Sequence, residues 1–244
     1  DVGYAIGAAS YGRLRTLVIN SSALLCGSRF GRGFIVPGGL RFDPTDEAFE
    51  KLKTNLRLVQ KDISSINNVM FDATSVLARL DHTGMITKEW AKQIGMVGPA
   101  ARASGVELDT RSQFPYGVYR YTPLPLITLS SGDVFARARI RSLEIDESLR
   151  FIFDQLENLS PGPTKNAMVD IQTNAGVISV IEGWRGEIVH CAFTNSDGTW
   201  KQYKIKDPSF HNWYGVALAL RNEAISDFPL INKSFDLSYS GHDL

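Results

Sequence analysis

Between Phe49 and Met70 the apolar residues fall at Phe49, Leu52, Leu56, Val59, Ile63, Ile66 and Met70, in steps that alternate between three and four. That alternation is an a/d seam, which only a long helix can present on one side. Such a helix runs to about 30 residues and, at ~1.5 Å per residue, roughly 45 Å. Asp43-Pro44-Thr45 just ahead of it supplies a capping oxygen and a proline at or near the first turn. A rod of this kind cannot bury its seam alone. It belongs either to a helical bundle within the chain or to a coiled coil between chains, and the pattern leaves both open.

The rest of the chain is read around that rod. Ala5 to Arg29 carries small and apolar residues with few charges and reads as a closely packing helix. Gly31 to Leu40, GRGFIVPGGL, is a shaped loop. Asp81-His82-Thr83-Gly84 breaks the helical pattern, Thr87 to Gly95 is a short helix, and Gly98-Pro99 opens another that closes at Gly105. Leu108 to Pro125 reads as extended loop, and Gly132-Asp133 starts a second long helix that ends near Leu156. Asp146 and Arg150 lie at i,i+4 on it, a pair worth a few tenths of a kcal/mol.

Ser160-Pro161-Gly162-Pro163 changes the character of the chain. Segments VDIQ, VISVIEGW, EIVHCAF and WKQYKIK then favour strands, with Asn195-Ser196-Asp197-Gly198 as a hairpin turn. Helices return at His211 to Arg221 and about Ser226 to Lys233. The expected fold is α+β: a mainly helical bundle with a small antiparallel sheet of three or four strands inserted near the C-terminal third. It is expected as one domain over 1–244, helical over 1–160, with the β insertion at 166–206 and C-terminal helices at 210–244. The chain opens on Asp1 and not on Met, so an upstream segment is expected.

Composition excludes several classes. With 26 basic and 26 acidic residues the formal net charge is zero, which disfavours a nucleic-acid partner held by bulk charge. A hydrophobic fraction of 43% argues against disorder. No apolar run approaches the ~18 residues of a membrane span. Cys26 and Cys191 lie far apart, so a four-cysteine zinc or iron–sulfur site is excluded, and a reducing compartment is the simplest context.

Of the four histidines none has a metal-binding partner at helical spacing. His82 reads as a solvated turn residue and His190 as a hydrogen-bonded strand residue. The arginines between Arg137 and Arg141 read as a solvated or bundle-spanning face more readily than as an anion site. One cluster has unusual chemistry: in Glu182-Gly183-Trp184-Arg185-Gly186-Glu187 glycines flank a cation at the crossing of two strands. A buried guanidinium there needs acceptors, so Glu182, Glu187 or a backbone carbonyl is expected beside Arg185. A hairpin arginine in water is the alternative.

Five ordered segments resemble a known family. GMVGPAARASGVELDTRSQFPYGVY (Gly95 to Tyr119) resembles G-x-x-GP-x-x-RASG-x-x-x-D-x-R-x-x-x-PY-x-x-Y, and GDVFARARIRSLEIDESLRFI (Gly132 to Ile152) resembles GD-x-x-AR-x-x-x-R-x-x-E-x-x-x-S-x-x-I. EGWRGEIVH (Glu182 to His190) resembles E-x-P-R-G-E, DPSFHNW (Asp207 to Trp213) resembles PSF-x-N, and FIVPGGL (Phe34 to Leu40) resembles a PGG loop ahead of a long helix. The family unites the quinone-site subunit of respiratory complex I with the large subunits of membrane-bound, energy-converting nickel–iron hydrogenases such as formate hydrogenlyase.

The resemblance implies an oxidoreductase subunit of a membrane-associated NADH:quinone oxidoreductase-like or hydrogenase-like complex, peripheral on the cytoplasmic side and not active alone. It implies an iron–sulfur small subunit and membrane subunits as partners, NAD and iron–sulfur clusters on those partners, and a quinone as the acceptor. By the resemblance, Arg185 and Asp236 are the candidate catalytic residues. Family hydrogenases hold nickel and iron with two C-x-x-C pairs, the second in D-P-C-x-x-C-x-D-R near the C-terminus. Here Ser238 and Gly241 stand at the thiolate positions, Leu237 at the proline and Leu244 at the arginine, while Asp236 and Asp243 are kept. A hydroxyl is a poor ligand for soft nickel and glycine offers none, so no metal and no cofactor is expected in this polypeptide. The alternative is a non-catalytic scaffold that docks an iron–sulfur subunit and a membrane arm. In isolation, surfaces made for partners favour a homo-oligomer.

Overall fold

The computed structural model describes residues 1–168 and 170–240. Its residues form two compact units: Gly3–Val76 with Asp146–Asp170, and Asp1–Val2 with Leu77–Ile145 and Ile171–Leu244. The mixed helical and small-sheet architecture is the α+β arrangement expected from the pattern.

In the first unit α1 (Ala5–Cys26) and α2 (Asp46–Asp72) form an antiparallel pair. Thr45 caps α2, its hydroxyl accepting from the Ala48 N–H at 3.2 Å, so Pro44 lies one residue outside the helix. Leu52, Leu56, Val59, Ile63 and Ile66 are buried, while Phe49 and Met70 at the two ends are half-buried. The seam is therefore closed inside the chain, each buried side chain contributing about 1.5–3 kcal/mol. Polar contacts pin the register: the Tyr11 hydroxyl donates to Asn67 Oδ1 at 2.6 Å, Asn55 donates to the Ser21 hydroxyl at 2.9 Å, and Arg13 pairs with Asp62. The PGG loop holds a feature that hydropathy does not reveal. Strands β1 (Ile35–Val36) and β2 (Gly39–Leu40) pair across Pro37-Gly38, with Gly38 at φ +88°. Asn166 and Thr164 bond to the backbone of Gly38 and Leu40.

The second unit starts within α3 (Thr74–Leu80) and continues through α4 (Lys88–Gln93), α5 (Gly98–Ala103), the single turn α6 (Thr110–Gln113) and the first half of α7 (Val134–Glu157). The segment Leu108 to Pro125 is thus less extended than its prolines suggest. Asp109 caps α6, and Gly117–Arg120 is a 3₁₀ turn. Asp133 caps α7, accepting from the Ala136 N–H at 2.8 Å and the His82 N–H at 3.0 Å. Ala103, Ala136 and Ile140 make a small core with Ile127 and Leu129 packed on it.

Strands β3 (Gly176–Gly183), β4 (Gly186–Thr194) and β5 (Trp200–Lys206) form an antiparallel sheet in that order. The strand expected at VDIQ is not formed: Asp170, Ile171 and Gln172 are irregular, and Val169 lies outside the described residues. Gln172 is instead tied to the sheet through its carbonyl, which accepts from the Thr194 hydroxyl at 2.7 Å. His190 does behave as a bonded strand residue, its Nδ1 lying 2.5 Å from the Tyr203 hydroxyl. Asp207 caps α8 (Pro208–Ala219), and α9 (Phe228–Phe235) ends at Asp236. Gly241, His242, Asp243 and Leu244, including two of the tail substitutions, lie outside the described residues.

Candidate functional site

The tip of the β3–β4 hairpin is a two-residue turn, Trp184-Arg185, closed by the pairing of Gly183 with Gly186. Its backbone is docked on the start of α5. Asn212, fully buried on α8, accepts from the Val97 N–H at 3.1 Å and donates to the Val97 and Arg185 carbonyls at 3.1 and 3.2 Å. Gly98, at φ +69°, lies so close to the Arg185 carbonyl that no Cβ fits between them. That approach fixes where Arg185 leaves the backbone.

One residue before the tip, Glu182 anchors β3 to a buried cluster of charges. Arg102 is 1% exposed and donates from Nη1 to Glu182 Oε1 at 2.9 Å and to the Leu108 carbonyl at 3.0 Å, and from Nη2 to Glu144 Oε1 at 2.6 Å. Arg111 grips Asp109 with two bonds, at 2.9 and 2.5 Å. Thr110 donates to Glu182 Oε2 from both its N–H and its hydroxyl, each at 3.2 Å. Burial pushes the Asp109 carboxyl up, but the bonds and charges of Arg111 and Arg102 outweigh it and hold the carboxyl below its ordinary range. Burial pushes Arg102 down, yet the three carboxylates around it raise it, so this guanidinium is locked in its charged form.

Of the two readings of the α7 arginines, the solvated face is corrected and the bundle-spanning one agrees: Arg137 is fully buried, with α9 over its turn of helix. It donates to the Ser234 hydroxyl at 2.8 Å and to the Gly132 and Gly84 carbonyls at 2.7 and 2.9 Å, with the Phe235 ring 4.4 Å away. Burial and the neighbouring Arg141 charge push it down to about 9, against the weaker pull of Asp133 and Glu223. Arg141, one turn on, donates to the carbonyls of Ser234 at 2.6 Å and Phe235 at 3.1 Å. Arg185 Nε donates to the next carbonyl, that of Asp236. Three successive carbonyls at the end of α9 are thus held by two guanidiniums, where the helix presents unpaired acceptors and partial negative charge.

Arg185 and Asp236, paired from the sequence by resemblance, are therefore neighbours in space. Their charged ends are 4.0 Å apart, and both side chains are about one-third exposed or less. The backbone-carbonyl partner expected for Arg185 is present. Glu182 and Glu187 are not its acceptors, because Arg102 takes the first and Lys206, at 2.6 Å, takes the second. Asp236 accepts from the Trp184 indole N–H at 2.8 Å and from Lys233 at 2.6 Å. Partial burial raises its carboxyl, but the bonds from Lys233 and Trp184 and the charges of Lys233 and Arg185 bring it below the ordinary range. With Arg141 also close enough to feel its charge, three cations face one carboxylate at the rim of the unit, a setting that stabilises added negative charge. Ser238, just beyond, bonds through its backbone to Ser209 and Trp213.

Sequence reasoning missed Arg102, Arg137, Arg141 and Glu182 as parts of one assembly. The signal was present: these are charged positions of the three longest matched segments, spaced over 80 residues from Arg102 to Glu182. Spacing along the chain does not say which charges meet.

Residues 1–176 match the family described as respiratory-chain NADH dehydrogenase, 49 Kd subunit. The chain is 30% identical over 228 residues to the D-type subunit of NADH-quinone oxidoreductase from Clostridium beijerinckii, covering 92% of this chain and 61% of that protein. It is 25% identical over 241 residues to formate hydrogenlyase subunit 5 of Escherichia coli, covering 99% of this chain and 42% of that one. It is 27% identical over 245 residues to hydrogenase-4 component G of the same organism, covering 99% and 41%. The chain spans about two- to three-fifths of the length of these curated relatives.

Proposed function

This chain belongs to the family of the 49 Kd subunit of the respiratory-chain NADH dehydrogenase, and we propose that it is a subunit of a membrane-associated electron-transfer complex of the NADH:quinone oxidoreductase or hydrogenase type. The observation that carries the reading is the convergence of the matched segments. Side chains from four of them, Arg102, Arg141, Arg185 and Asn212, meet around the β3–β4 hairpin tip beside Asp236. In the proposal, electrons arrive from an iron–sulfur cluster of a partner subunit and pass to a quinone-like acceptor. Two electrons and two protons convert the quinone to a quinol. Arg185 stabilises the charge that builds on the acceptor oxygen, as fixed donors do where charge develops. Asp236 is ionised at neutral pH, so its part is to hold Arg185, Lys233 and Trp184 in place and not to deliver the proton. NAD would be handled by another subunit.

A nickel–iron centre on this polypeptide is not included. Ser238 offers a hydroxyl at a thiolate position, and Cys191 lies mid-strand in β4, opposite Ile178 and Lys204. No helix among the described residues is long and apolar enough to cross a membrane, so attachment through membrane subunits is part of the proposal. Val177 and Ile178 support a partner surface: they point to opposite faces of the edge strand β3, and both are more than 60% exposed.

The test is acceptor reduction by the reconstituted complex. Arg185→Gln should lower it about a hundredfold, the loss typical of removing one charge-stabilising donor. Undiminished reduction in both Arg185→Gln and Asp236→Asn would remove the acceptor site. A second reading, the scaffold, is favoured by the bond from Arg185 Nε to the Asp236 carbonyl, which gives the arginine a purely structural duty. It predicts that these variants weaken assembly with the iron–sulfur and membrane subunits while leaving electron transfer per assembled complex unchanged.

A further inference from the structure

Asp236 is exposed enough to swing, yet its carboxylate is held from two sides. Trp184 donates its indole N–H to Oδ2 at 2.8 Å, leaving Oδ1 for Lys233. The indole is itself more than half exposed, and the Arg141 guanidinium lies 5.5 Å from its ring centre. The same guanidinium binds the Ser234 and Phe235 carbonyls, the two residues that lead into Asp236. Arg141 thus touches both the hairpin tip that carries the donor and the helix end that carries the acceptor. We propose that Arg141 and Trp184 act together as positioning residues that set the orientation of the Asp236 carboxylate.

The chemistry requires an arginine at this point. A planar fork can span two carbonyls while presenting its face to an aromatic ring; an ammonium supplies a single charged point and no face. The indole is needed for its N–H, which a phenyl ring lacks. The functional consequence rests on the acceptor-site reading above; the positioning itself does not.

Four tryptophans give four indole N–H signals in a nitrogen-15 spectrum of the full chain, and Trp184→Phe identifies one of them by its loss. Asp236→Asn moves that signal to the position of a weaker hydrogen bond. Arg141→Lys is expected to move it in the same direction while the Trp90 and Trp200 signals stay where they are. A Trp184 signal at its native position in Arg141→Lys would overturn the proposal. Should Arg141→Lys fail to fold, the half-exposed Trp184→Phe decides: the carboxyl-carbon signal of Asp236 must shift, and an unmoved signal overturns the proposal equally. In the reconstituted complex Arg141→Lys should lower acceptor reduction about tenfold, the equivalent of one charged hydrogen bond. A shifted indole signal with full acceptor reduction would leave the positioning role standing and overturn the acceptor-site reading instead.

Discussion

The α1–α2 pair and the hairpin-tip assembly solve burial in opposite ways. In the pair, five aliphatic side chains of α2 lie inside, and the ion pairs Arg13–Asp62 and Lys53–Glu50 stay near water. In the assembly, Arg102 and Arg137 are 1% and 0% exposed, and besides the nearby Leu108 and Gly132 carbonyls they are held by Glu144, Glu182, Gly84 and Ser234, all more than 40 residues away in sequence. Apolar contacts are interchangeable and local. A buried guanidinium depends on every acceptor being in place, so loss of one member strands the others. Specific geometry is therefore concentrated in the second region.

Removing a member of the charged cluster should give the largest effect. Arg102→Met keeps volume but leaves Glu182 buried without its cation and Asp109 with Arg111 alone, and is expected to cost about 3–5 kcal/mol in urea unfolding. A cost under ~1 kcal/mol would break the contrast, because the cluster would then behave like a surface pair. Leu56→Ala in the α2 seam should cost about 2–4 kcal/mol through a cavity, and Leu56→Met well under half of that. Such tolerance of volume-conserving swaps is what an apolar interface predicts and a charge cluster does not.

Acid should separate the regions further. Asp109 has its carboxyl lowered in the folded state, so its contribution is complete above the unfolded value of about 3.9 and is lost as pH falls through the folded one. Asp109→Asn is therefore expected to lower stability at neutral pH and to flatten the acid limb of the stability–pH curve; an unchanged acid limb would show that the cluster does not govern it. The smallest effect belongs to Arg13→Ala. Its arginine is 55% exposed, and the loss should stay below about 1 kcal/mol and shrink further in salt.

These differences also explain what could be read in advance. The α2 seam and its Thr45 cap, the helix start at Thr87, the Asn195–Gly198 turn and the three long strands are encoded by neighbours along the chain, whereas α8 begins at Pro208 under an Asp207 cap, three residues before the expected start at His211. The β1–β2 pairing was hidden because two-residue strands carry no period. The α6 turn was hidden because its signal is the single oxygen of Asp109. The interior placement of Arg137 ran against the general preference of arginine for water, and only the arrival of α9 on that side of α7 overrides it. Arg185 and Asp236 could be paired by motif, but nothing local says that Glu182 turns to Arg102 and leaves Arg185 to a carbonyl.

Asp236 sits at φ +53° and ψ +43°, a twist that costs most side chains energy but that aspartate and asparagine tolerate. The residue therefore answers to two masters, chain direction and charge. Alanine at this position would disturb both and report on neither, whereas asparagine keeps the bend and removes only the charge. Glycine does the converse test, easing the bend while deleting the whole functional group.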